Sequence, residues 1–213
     1  MGYTTEFEGK IYIDEPVSLE DIEYINNFCN TRRMKRDVNL IKARFPDWAF
    51  MCYKGKLGTE GEYFVNPPFM GQLRDGTIED YNEPPATQPG LWCSWEIVPE
   101  EDVEGKTQIP VSVQWSGTEK FYYYTEWLEY IFANFFPRPQ YNPYGVIFAQ
   151  GEDSYDAHYI IVENGIIRMI SYDIPLDEML ASLTDERVKQ ELKDIYKDPA
   201  DVEDNSWDDD DDW

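Results

Sequence analysis

The sequence predicts an α+β fold: a mainly antiparallel sheet packed on one long amphipathic helix at about 116–136, with an N-terminal helix at about 19–31 and short C-terminal helices. Three observations predict it. Val111, Val113 and Trp115 alternate with Ser112 and Gln114, and Phe121, Tyr124, Leu128, Ile131 and Phe135 then recur at three- and four-residue steps. Asn164-Gly165 separates two apolar runs, Ala157–Glu163 and Ile166–Tyr172, in the pattern of a two-residue hairpin whose turn needs positive φ. Cys93, Trp95 and Ile97 alternate within Leu91–Val98, and the acidic connection Pro99–Gln108 returns that chain antiparallel into Val111–Trp115.

Taken in order, Thr4–Ile13 reads as a first strand, with Gly9 as a bulge and Glu15-Pro16 as its end. Ser18 is placed to cap a helix beginning at Leu19, and Leu19, Ile22, Ile25 and Cys29 or Phe28 mark its buried stripe. Residues 45–90 are irregular, with a short strand at Glu62–Val65 followed by Pro67-Pro68, Pro84-Pro85 and Pro89-Gly90. A connection of that length is either functional or draped over a core by its aromatic residues. Ser116, three residues before Glu119, forms a capping-box pattern for the central helix, and Pro137, Pro139 and Pro143 end it. Gly145–Gln150 reads as a strand. In the hairpin after it, a two-residue turn sets Val162 opposite Ile167 and Ile160 opposite Met169. Pro175–Ile195 reads as two helical pieces broken near Ser182–Asp185. Residues 1–197 are expected to form one domain, and 198–213 a disordered acidic tail.

The 213 residues carry 43 acids and 18 bases, a formal charge of −25. The last sixteen residues hold nine of those acids and no base, so residues 1–197 keep a surplus of sixteen. Such a field repels nucleic acid and anionic membrane and attracts basic partners, so direct nucleic-acid binding is not expected. Three cysteines without metal-ligand spacing fit a reducing compartment. With no apolar run near 18 residues and no basic-then-apolar leader pattern, the expected location is cytoplasmic, away from membranes.

Chemical signatures are weak. Arg32, Arg33 and Arg36 lie in a basic stretch (Thr31–Arg44); they are anion-binding candidates, or cations pairing with surrounding acids at a helix end. Glu152, Asp153, Asp156 and the only histidine, His158, are weak metal candidates, since their spacing matches no calcium loop and acids in a turn are ordinarily solvated. Tyr123, Trp127 and Tyr130 flank the main face of the central helix and, with Trp207 and Trp213 of the tail, are partner-binding candidates. A second aromatic stripe equally fits a helix covered on two sides. No nucleophile elbow, phosphate-binding loop or dinucleotide fingerprint occurs, so no catalytic residue and no cofactor are assigned and the chain reads more readily as a non-enzyme.

Several segments, GYTTEFEG (2–9), TRRMKRD (31–37), YFV (63–65), DYNEPPATQPGLWCSW (80–95), EKFYYYTEWLEYI (119–131) and GVIFAQGEDSYDAHYIIVENG (145–165), together resemble a widespread family of bacterial and phage proteins of uncharacterised function. The resemblance implies a single α+β domain and a bacterial or phage origin; it implies no activity, and the poly-aspartate tail lies outside it. From the acid surplus of residues 1–197 and the Asp–Trp tail, the expected function is an acidic interaction protein that binds a basic or nucleic-acid-handling protein, in its sharpest form an inhibitor presenting DNA-like charge. The alternative is a small-ligand-binding or enzymatic domain using residues 32–36 and 151–158.

Overall fold

The computed structural model describes residues 3–66, 69–153 and 155–199. In chain order the elements are β1 (Thr5–Ser18), α1 (Leu19–Cys29), β2 (Lys35–Arg36), α2 (Val38–Arg44), β3 (Ile78–Asp80), β4 (Trp95–Pro99), β5 (Gln108–Trp115), α3 (Tyr124–Asn134), β6 (Tyr144–Gly151), β7 (Ala157–Glu163), β8 (Ile166–Ser171), α4 (Leu176–Ala181) and α5 (Glu186–Ile195). A six-stranded sheet has the order β4-β5-β1-β6-β7-β8, and β2 and β3 form a small second sheet. The α+β class and the large antiparallel sheet are as the sequence predicts. The backbone divides into two compact units: the residues up to Tyr12 with those from Pro143 onward, and Ile13–Asn142.

In the first unit, β6 and β7 pair antiparallel, and β7 and β8 form the expected hairpin, with Val162 opposite Ile167 and Ile160 opposite Met169. Asn164 and Gly165 both have positive φ, as a type I′ turn requires. Ile160 and Val162 are buried, but Met169, on the edge strand, is exposed. The Tyr159 and Ile161 face is covered by Met179, Leu183, Val188 and Leu192 from α4, α5 and the break between them. Gly9 is not a bulge. It stays in register opposite Ile147, at φ +104, where a Cβ would lie 2.4 Å from the Val146 carbonyl oxygen. Only glycine admits that approach.

In the second unit, Ser18 caps α1 as expected, accepting from the Asp21 amide at 3.1 Å. Ile22, Ile25, Phe28 and Cys29 are buried, whereas Leu19, expected in that stripe, is exposed. Strand β1 does not end at Glu15-Pro16. Beyond Tyr12 it has no β6 partner, and the Asp14 amide, on the side Pro16 nitrogen also faces, donates instead to the Tyr141 carbonyl. A missing N–H at Pro16 therefore breaks no ladder bond.

The long central helix of the sequence reading is shorter: α3 spans 11 residues, the same number as α1. Ser116 does not cap it; its hydroxyl lies 2.9 Å from the Thr118 hydroxyl. Gly117, Lys120 and Tyr123 all have positive φ, so the backbone turns repeatedly before Tyr124. Phe121 is buried outside the helix, edge-on against Trp95 at 5.2 Å, and the Trp95 indole donates to the Tyr124 carbonyl at 2.9 Å. Phe28 then joins α1 to α3 and the turn after it, stacked on Tyr130 and edge-on to Trp127 and Phe135.

Candidate functional site

The three arginines diverge into separate internal roles. Arg36 is 3% exposed and meets Asp75 at 2.5 Å, with further bonds to the Thr77 hydroxyl (2.8 Å) and the Gly71 carbonyl (3.3 Å). Burial pushes the Asp75 carboxyl up, but the Thr77 hydroxyl and amide and the Arg36 charge outweigh it and hold it below its usual value. Arg32 is half-buried, donates to the Tyr81 carbonyl at 3.0 and 3.1 Å, and lies over the Trp92 ring. Arg33 is 2% exposed, donates from Nη2 to the Glu62 and Phe64 carbonyls, and stands 4.1 Å over the Phe28 ring. Its Nε and Nη1 meet no acceptor among the described residues, and burial lowers its pKa from the ordinary value. Together they fasten the irregular segment 62–82 to the end of α1. The arrangement is that of a tether: apart from Arg33 Nε and Nη1, carbonyls, rings and Asp75 meet the guanidinium groups, and each arginine has its own partners.

The acidic loop after β6 is likewise engaged. Glu152 accepts the Thr4 amide at 2.7 Å, and Asp156 accepts the Tyr3 hydroxyl at 2.7 Å. Asp153 accepts the Tyr155 amide at 3.0 Å in a local turn. His158 sits half-buried on β7 opposite Ser171, and burial lowers its pKa against a smaller opposing pull from Asp156. Among the described residues no group of three or more His, Cys, Asp or Glu is arranged to hold a metal ion.

Of the aromatic candidates, Trp127 and Tyr130 are buried and Tyr123 is exposed. The covered reading of that stripe is the one the packing realises, so only Tyr123 of the three can meet a partner. Trp207 and Trp213 lie outside the described residues. Cys29 and Cys93 are buried with their sulfurs 3.5 Å apart.

Sequence reasoning missed an open groove of about 960 Å³ in the second unit, between α1 and the turns at Trp48–Gly55. Its α1 wall carries Glu20, Asp21, Glu23 and Tyr24; the facing wall carries Phe50, Tyr53 and Lys54. Glu20 and Glu23 are exposed and, among the described residues, enter no ion pair. Phe50 is 89% exposed on a short helical turn held by a bond from its amide to the Asp47 carbonyl. Lys54 crosses the groove to Asp21 at 3.2 Å and lies 4.7 Å over the Tyr53 ring. One signal was present in the sequence: WAFMCY (48–53) is an unbroken apolar run, longer than one buried face of so short a segment can hold.

No protein family, no curated protein and no solved structure matches the chain.

Proposed function

We propose that this chain is an acidic interaction protein, bacterial or phage in origin by its resemblance, that binds a basic or nucleic-acid-handling protein and does its work in the cytoplasm. The carrying observation is a surplus of carboxylates that internal pairing does not remove. Bases such as Lys35, Arg36, Lys54, Arg168 and Arg187 already hold an acid of this chain. Each such pair cancels one acid, and 43 acids against 18 bases leave 25 uncompensated. The connection between β4 and β5 exposes Glu100, Glu101, Asp102 and Glu104, and α1 exposes Glu20 and Glu23. An extended negative field of this kind steers cationic partners and raises their association rate.

The rival reading, a small-ligand or enzymatic domain on residues 32–36 and 151–158, draws no support from the geometry, because those arginines and carboxylates are engaged internally. Affinity capture from bacterial lysate in low and high salt tests the proposal. The expected result is recovery of a basic protein that salt releases. Recovery of none, or of partners indifferent to salt, would count against it.

A further inference from the structure

The groove beside α1 has three properties that together specify an occupant. Its acidic wall is in surplus: Glu20, Asp21 and Glu23 face Lys54 as the one base among its lining residues, a local balance of −2. Asp21 is occupied by Lys54, so the two carboxylates left are Glu20 and Glu23, three residues apart and on neighbouring positions of the helix. Phe50, an aromatic ring 89% exposed on an ordered turn, lines the same groove, as does Tyr24 of α1. An isolated exposed aromatic is unremarkable on a protein surface, but one that shares a groove with unpaired carboxylates has the chemistry to take a cation.

The molecule already contains a smaller version of this contact. Lys54 lies over the Tyr53 ring while its ammonium meets Asp21, combining ring face and carboxylate around one cation. In the same groove Phe50, Glu20 and Glu23 supply the same kinds of group, and among the described residues neither glutamate enters an ion pair.

We infer that the groove receives an arginine side chain from an extended segment of the basic partner, the guanidinium stacked on Phe50 and bonded to Glu20 and Glu23. Arginine fits better than lysine because its planar group presents a face to the ring and a fork of donors to the carboxylates at once. The apolar lining from Met51 gives a neighbouring aliphatic residue of the segment a place to lie. This inference rests on the reading of the chain as an acidic interaction protein.

The test is fluorescence anisotropy of a labelled heptapeptide of alternating arginine and leucine titrated with the full chain, alongside its lysine counterpart. Glu20→Gln with Glu23→Gln is expected to weaken arginine-peptide binding at least tenfold, and Phe50→Ala at least fivefold. A charge-matched control, Glu101→Gln with Asp102→Asn on the exposed β4–β5 connection, should change it less than twofold. All five side chains are exposed, so unchanged thermal melting is expected and confirms intact folding. The lysine peptide should bind at least threefold more weakly. Equal losses in the groove and control variants, indifference to Phe50→Ala, no peptide binding, or Phe50-dependent dimers in light scattering each overturn the groove assignment. Capture separates the two levels. If wild type and the triple groove variant recover the same salt-sensitive basic protein equally, the groove fails alone; if wild type recovers none, the broader reading fails with it.

Discussion

Removing the Asp75 carboxylate is the sharpest test of whether the arginine cluster is structural. In Asp75→Ala, Arg36 keeps the Thr77 hydroxyl and the Gly71 carbonyl but loses the only carboxylate it meets among the described residues, in a place where the two side chains are 3% and 7% exposed. The Asn66 side chain and the Thr77 amide lose an acceptor as well. Orphaning a buried charge costs about 3–5 kcal/mol, which for a chain of this size lowers Tm by on the order of 10 °C. Urea unfolding at pH 7 measures the first figure and calorimetry the second. Adding Arg36→Met removes the stranded charge, and the double variant should recover about half of the loss or more. The folded Asp75 pKa is depressed, so its contribution is full above the unfolded value, about 3.9, and fades as pH falls through the folded value. The gap between wild type and Asp75→Ala should therefore close in acid. A loss below about 1 kcal/mol at pH 7, or a double variant no better than the sum of its parts, would refute the tether.

Millimolar phosphate or citrate should leave Tm unchanged, since Arg32, Arg33 and Arg36 are engaged separately; a rise of several degrees would restore the anion-cradle reading. Gly9→Ala should destabilise by about 2–4 kcal/mol in chemical denaturation, because the new methyl meets the Val146 carbonyl at a backbone angle L-residues avoid. Glu163 accepts the Thr184 and Asp185 amides at 2.6 Å and pairs with Arg168 at 3.1 Å, so Glu163→Ala should cost about 2–3 kcal/mol. Burial pushes the Glu163 carboxyl up, but those amides hold it below its usual value, and the difference from the variant should shrink as pH falls. All three thiols are buried: the Cys93 contact and burial raise the Cys29 pKa, and burial pushes Cys52 up to about 12. A thiol reagent should thus label none of them in the native chain and all three after unfolding; rapid native labelling would show a reactive site.

Features that a few neighbouring residues settle among themselves were legible in the sequence. Asn164-Gly165 imposes its turn through backbone angles, which fixes the β7–β8 register without help from elsewhere. Ser18 reaches an amide three residues on, and the break between α4 and α5 follows from the polar residues Ser182, Thr184 and Asp185. The charge surplus is likewise a property of composition. The central helix was misread because its apolar period extends through Phe121, which the tertiary structure buries against Trp95 on a non-helical backbone. Nothing within residues 116–123 announces that, since the ring it packs on is 26 positions away.

The arginines and the groove belong to the same class of distant decisions. Whether Arg33 and Arg36 face solvent or lie buried depends on carbonyls and a carboxylate contributed from residues 62 to 77, beyond the reach of any local pattern. Phe50 and Glu20 are thirty residues apart, and only the packing of the Trp48–Gly55 turns beside α1 makes one surface of them. Sequence by itself determined which segments are strands and helices, wherever short-range hydrogen bonds and side-chain period decide, and how much charge the chain carries. Tertiary structure alone decided which charges are consumed inside and which face a partner, because burial is set by contacts between residues that the chain holds far apart.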